Sequence, residues 1–116
     1  MLTQQAVIQT VNQFSIELLK TGLNLRKVLL FGSFAKNCPH EYSDIDLCLV
    51  ADEFTGAGFM DFEFFRLVLR DKKFNRIQYK TYSTEDYLEG DPFIDYEINR
   101  TGIVLFDNLT EQPAFA

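Results

Sequence analysis

Gly32-Ser33 closes one apolar run, and Asp44-Ile45-Asp46 opens another after ten intervening residues. Gly32 lets the backbone turn sharply off a strand and approach a ligand with no Cβ in the way. Ser33 then starts a short helical turn, where unpaired backbone N–H groups favour an anion and the hydroxyl adds a donor. That geometry suits a nucleotide phosphate. Asp44 and Asp46 stand two residues apart on an expected strand, so their side chains share a face. Two bare carboxylates about 5 Å apart repel by roughly 3 kcal/mol at an effective dielectric of about 20. One is pushed toward its protonated form unless a cation lies between them. Oxygen donors beside phosphates favour Mg²⁺ or Mn²⁺.

These residues need elements to hold them. Residues 3–20 predict an amphipathic helix, with Val7, Val11, Phe14 and Leu18 at helical spacing and Gln4, Gln9 and Gln13 elsewhere on the surface. Thr3 suits its N-cap and Gly22 its stop. Residues 27–31, KVLLF, read as a buried strand running into the Gly-Ser turn. Ser33 to Lys36 start a short helix that Asn37 and Pro39 end, and 38–43 are rich in turn formers. Residues 44–50, DIDLCLV, read as a central strand with Ile45 pointing the other way, into the core.

Further on, Asp52 to Gly58 is a loop, 59–72 a helix, 76–82 a strand, 92–101 a helix between Pro92 and Gly102, and 103–106 a closing strand. The tail beyond 107 is polar and expected to fray. This order predicts an α/β (α+β) fold, a mixed sheet of about four strands with helices packed against it. One domain, 1–116, is expected, with its core in about 25–107 and a frayed tail at 108–116.

Bulk properties exclude several functions. A chain of 116 residues that is 47% apolar can bury one core, and a shallow or shared site is expected of so small a domain. The formal charge is -6, and no Lys/Arg-rich run lines up for a phosphate backbone, which argues against a duplex nucleic-acid partner. A small phosphate ligand stays open, because a metal ion reverses the local charge. Cys38 and Cys48 form no Cys-x-x-Cys pair, so reduced thiols are expected and structural zinc is not. The first residues, MLTQQAVIQT, do not resemble a signal peptide, and no apolar run spans a membrane. The cytoplasm is the expected location.

The stretch GSFAKNCPHEYSDIDLCLV resembles the Gly-Ser…Asp-x-Asp signature of minimal nucleotidyltransferases, in the DNA polymerase β superfamily. The likeness runs from about residue 25 to 107, where IDYEINRTGIVLFD resembles the closing helix and strand. It implies a nucleotidyltransferase-like fold and nucleotidyl transfer to a hydroxyl from ATP or another nucleoside triphosphate. The attack would be in line at the α-phosphorus, with two metal ions. Gly32 and Ser33 would hold the triphosphate, and Asp44 and Asp46 would be the catalytic, metal-binding pair. Lys36 is placed toward the triphosphate too, although a solvated lysine reads equally well.

The family pattern has a third carboxylate on the next strand, and here Gln78 stands in that place, in Arg76-Ile77-Gln78-Tyr79. Glutamine offers one neutral oxygen and is a poor proton acceptor. Glu97, Asp61 or Asp71 replaces the missing acid only if the fold brings one inward. Isolated minimal domains of this kind resemble the antitoxin halves of HEPN–nucleotidyltransferase toxin–antitoxin pairs. A helical HEPN-type protein would then be complex mate and substrate. The competing reading is a catalytically weak module that works by docking its partner.

Other features carry less. His40, the only histidine, reads as a solvated loop residue beside Pro39. Gly56-Ala57-Gly58 lacks the context of a dinucleotide motif. In the expected helix 59–72, Phe62, Phe65 and Leu69 form a core stripe, while Phe59, Met60, Phe64, Leu67 and Val68 lie outside it. That excess suggests either a second contact, with a partner protein or a homodimer, or a helix wedged between the sheet and the last helix.

Overall fold

Alternation along the central strand decides the layering. In the computed structural model, which describes residues 2–40 and 43–109, four strands form one sheet: β1 (Leu25–Phe31), β2 (Ile45–Ala51), β3 (Ile77–Ser83) and β4 (Ile103–Asp107), in the order β3-β2-β1-β4. β1 runs antiparallel to β2 and β4, whereas β2 and β3 are parallel. Helix α1 (Gln4–Lys20) presents Val7, Val11, Phe14 and Leu18 to one face, where Val28, Leu30, Ile45, Leu47 and Leu49 meet them. The alternate residues Leu29, Cys48 and Val50 face the other way, with Tyr82, and are covered by Tyr87, Ile94 and Ile98. β2 is therefore covered on both sides, which is why its sequence turns uniformly apolar after Asp46.

Helix α1 forms as its capping residue dictates: the Thr3 hydroxyl accepts from Ala6 N at 3.1 Å. The expected helix 59–72 is not continuous. Only α2 (Gly58–Asp61) is α-helical, and 3₁₀ turns follow at Phe62–Phe64, Val68–Arg70 and Lys72–Phe74. Phe65 and Phe74 are both fully buried, yet at about 100° per residue a straight helix would aim them in opposite directions. The broken path brings both inward, Phe65 onto Tyr79 and Phe74 onto Phe14. Phe62, expected in the core stripe, is exposed with Phe59, Met60 and Leu67, whereas Phe64 and Val68 pack against the core.

The expected helix 92–101 contracts to a π-turn at Ile94–Ile98, closed by Asn99 N donating to Ile94 O at 2.7 Å. A helix not foreseen, α3 (Thr84–Glu89), precedes it, with Ser83 Oγ accepting from Asp86 N at 3.0 Å. The Ser-x-x-Asp spacing was its available signal. Residues 41, 42 and 110–116 lie outside the described residues, so part of the turn-rich stretch and most of the expected frayed tail do too. No helix among the described residues is long and apolar enough to cross a membrane.

The two cysteines differ sharply in environment. Burial pushes the Cys48 thiol up to about 12, whereas Cys38 is exposed. The thiolate is the reacting species. A thiol-specific reagent at neutral pH is therefore expected to titrate Cys38 alone in the native protein and both residues after denaturation.

Candidate functional site

Gly32 follows directly on β1 with φ at +76°, in the left-handed region that glycine tolerates. One helical turn comes next. Lys36 N donates to Gly32 O at 3.1 Å, Asn37 N to Phe34 O at 3.2 Å and Cys38 N to Ser33 O at 2.9 Å. Asn37, with φ at +54°, closes the turn in the manner of a helix C-terminus. The expected short helix is this single turn. Its leading N–H groups, on Ser33, Phe34 and Ala35, meet no backbone acceptor among the described residues. Phe34 is fully buried and roots the turn in the core. Gln4 holds it from outside, its Nε2 donating to Phe34 O at 2.8 Å.

The carboxylates arrive from β2. Antiparallel pairing sets Asp46 opposite Phe31, the residue before Gly32. The fit there is close: a Cβ on Gly32 would overlap Asp46 Oδ2 and lie 3.1 Å from its Cγ. Asp44 stands exposed just ahead of β2 instead of within it. Burial, and then the negative charge of Asp44, holds the Asp46 carboxyl above the usual carboxylate range. The ion pairs among the described residues include neither acid. The loop leading to Asp44 is fixed by Ser43, whose hydroxyl accepts from His40 N at 2.8 Å and whose carbonyl accepts from the Arg76 guanidinium. His40 itself is exposed, as a solvated loop residue should be.

The parallel ladder pairs Asp46 with Gln78, so the neutral amide sits directly across from the half-buried acid. None of the three possible replacements joins the pair. Asp61 is fully buried and accepts from Thr55 N, Thr55 Oγ1, Gly56 N and Thr81 Oγ1 at 2.7–3.0 Å, which ties α2 to the preceding loop and to β3. Asp71 caps a 3₁₀ turn. Glu97 lies 3.7 Å from the Lys36 ammonium, and both side chains are well exposed. Among the described residues no three His, Cys, Asp or Glu side chains converge as a metal cluster.

Sequence reasoning thus anticipates Gly32, Ser33, Asp44 and Asp46 as neighbours, while Lys36 sits at the far end of the turn against Glu97. It misses Gln4 and Arg76, whose contacts join distant segments and leave no local signal. Two open depressions, of about 290 and 370 Å³, are lined by other residues.

Gly32→Ala tests the close approach. The left-handed conformation alone costs about 1–2 kcal/mol with a Cβ present, and the added methyl must also displace Asp46. Denaturant unfolding is expected to show a loss of at least about that size.

Comparisons with known proteins bear on the family and the fold. The family model described as polymerase beta nucleotidyltransferase matches residues 14–111. A toxin–antitoxin crystal structure with AMP-PNP superposes with a TM-score of 0.59 at 18% identity, covering 85% of this chain and 75% of that chain. A mutant of the toxin–antitoxin pair MntA–HpeT, with two aspartates spaced two apart changed to glutamate, gives 0.53 at 16% identity, covering 83% and 73%. Identities this low speak for the fold. No curated protein sequence matches. With the family model spanning most of its length, the chain belongs to the polymerase β nucleotidyltransferase family.

Proposed function

We propose that the chain binds a nucleoside triphosphate with a divalent cation, Mg²⁺ or Mn²⁺, at the Gly32–Asp46 rim and transfers its nucleoside monophosphate to a hydroxyl acceptor. The observation that carries this reading is the glycine bend pressed against the Asp46 carboxylate, with Asp44 beside it. The N–H groups of Ser33, Phe34 and Ala35, with the Ser33 hydroxyl, would cradle phosphate oxygens. Lys36 would reach the outer phosphates by leaving Glu97. Asp44 and Asp46 fit a cation, because their mutual repulsion is relieved by one and the ion pairs among the described residues include neither acid. A cation held there would neutralise triphosphate charge and favour in-line displacement. The fold neighbour with AMP-PNP, and the neighbour altered at two aspartates of the same spacing, support this assignment.

The acceptor fits a protein partner, since those neighbours are toxin–antitoxin complexes. A HEPN-type helical protein, or a second copy of this chain, could cover the exposed Phe59, Met60, Phe62 and Leu67. A second reading, a partner-binding antitoxin-like module with weak or no catalysis, is favoured by one specific observation: Gln78 opposite Asp46, with no third acid in place among the described residues. The two readings separate by transfer of label from an α-³²P nucleoside triphosphate, with and without Mg²⁺, to a co-purified partner. Mg²⁺-dependent labelling of the partner supports the enzyme. Stable association with no labelling supports the module.

A further inference from the structure

The geometry points to Gln4 as the positioning residue for the Gly-Ser turn, holding its peptide groups so that their N–H ends face the carboxylate rim. This rests on the phosphate-binding reading of that turn. Thr3 caps α1 and so fixes Gln4 as the first helical residue. From there Nε2 donates to Phe34 O at 2.8 Å and lies 3.5 Å from Ala35 O. In a helical turn the carbonyls point one way and the N–H groups the other. Engaging the carbonyls at the far end therefore locks the orientation of the very amides that would meet a phosphate. It also polarises them, because hydrogen bonds along a peptide chain strengthen one another.

The other two anchors act elsewhere: Phe34 through its buried ring and Gly32 through its contact with Asp46. Neither fixes the tilt of the peptide planes between residues 33 and 36. Gln4 does so from a helix that otherwise packs on the sheet. The three intraturn hydrogen bonds, donated by Lys36, Asn37 and Cys38, report on that tilt.

The test uses the full chain with Gln4→Ala and with Gln4→Glu, which keeps the shape but becomes a pure acceptor when ionised. Amide hydrogen exchange at Lys36, Asn37 and Cys38 is expected to speed up at least about fivefold in both variants, with Val11 to Leu18 of α1 unchanged. Calorimetry with Mg²⁺ and AMP-PNP at neutral pH should show affinity at least about fivefold weaker in Gln4→Ala, and weaker still in Gln4→Glu, which faces carbonyl oxygens with a charge. Exchange at wild-type rates in the turn, or affinities within about twofold of wild type in both variants, would overturn the proposal. A wild-type chain that binds no nucleotide would defeat the functional reading instead, and the exchange arm would still decide whether Gln4 sets the turn.

Discussion

Asp46→Asn is expected to remove metal-dependent nucleotidyl transfer and, in the same protein, to raise the stability of the metal-free fold. Both effects come from one placement. Asp46 is half-buried at the head of β2, close against Gly32, and it carries the added charge of Asp44. For transfer, loss of a carboxylate that would hold the cation is expected to cost at least about 100-fold, or roughly 2.7 kcal/mol of barrier.

For stability the sign runs the other way. The folded-state value of Asp46 is raised, so between the ordinary carboxylate value and the raised one the native state binds more protons than the unfolded chain. Wild-type stability therefore falls as pH rises through that window. The asparagine variant does not share this loss and should be more stable at neutral pH. Below the ordinary carboxylate range, near pH 4, the advantage disappears. Added Mg²⁺ and AMP-PNP should raise the melting temperature of wild type only, since a ligand stabilises in proportion to its binding. A variant that melts below wild type at neutral pH, or still transfers label, would contradict the assignment of Asp46.

The second large effect is expected from Gln78→Glu. β2 and β3 are parallel and in register, so residue 78 faces Asp46 across neighbouring strands about 4.8 Å apart. Its side chain is exposed, and the replacement has the same length. It adds the charge and the proton acceptor that glutamine lacks. Label transfer is expected to rise at least about tenfold. Without a divalent ion, three acids on one rim should lower the melting temperature, and Mg²⁺ should recover it. If transfer does not change while Mg²⁺ affinity rises, the missing acid is not what limits catalysis and the partner-binding module becomes the better account.

Much of the site could be read from residues alone because its parts are local. A glycine at the end of an apolar run marks the bend, and alternate aspartates before another run mark a shared face. Gln78 was singled out through the family resemblance, which has an acid at that place on the next strand; the parallel pairing then sets it across from Asp46. What could not be read depends on distant packing. Gln4 looked like solvent-facing helix surface, since nothing near it in sequence reveals a carbonyl thirty residues on. The segment after Gly58 looked like one helix because its apolar residues recur at short spacing. The two buried rings of Phe65 and Phe74, and the four donors gathered by Asp61, impose a broken path that periodicity does not encode. Lys36 was readable as a cation near the turn, but its pairing with Glu97 required the π-turn to be placed.

The position facing Asp46 also has a genetic consequence. β3 is an outer strand of the sheet, and residue 78 on it buries nothing that the core needs. Glutamine and glutamate codons differ only in their first base, so one C-to-G change converts the rim from two acids to three with no repacking. If the third acid is what limits transfer, descendants of such a gene would cross between a docking protein and a modifying one by a single nucleotide, with charge repulsion on the rim, relieved by a divalent ion, as the cost.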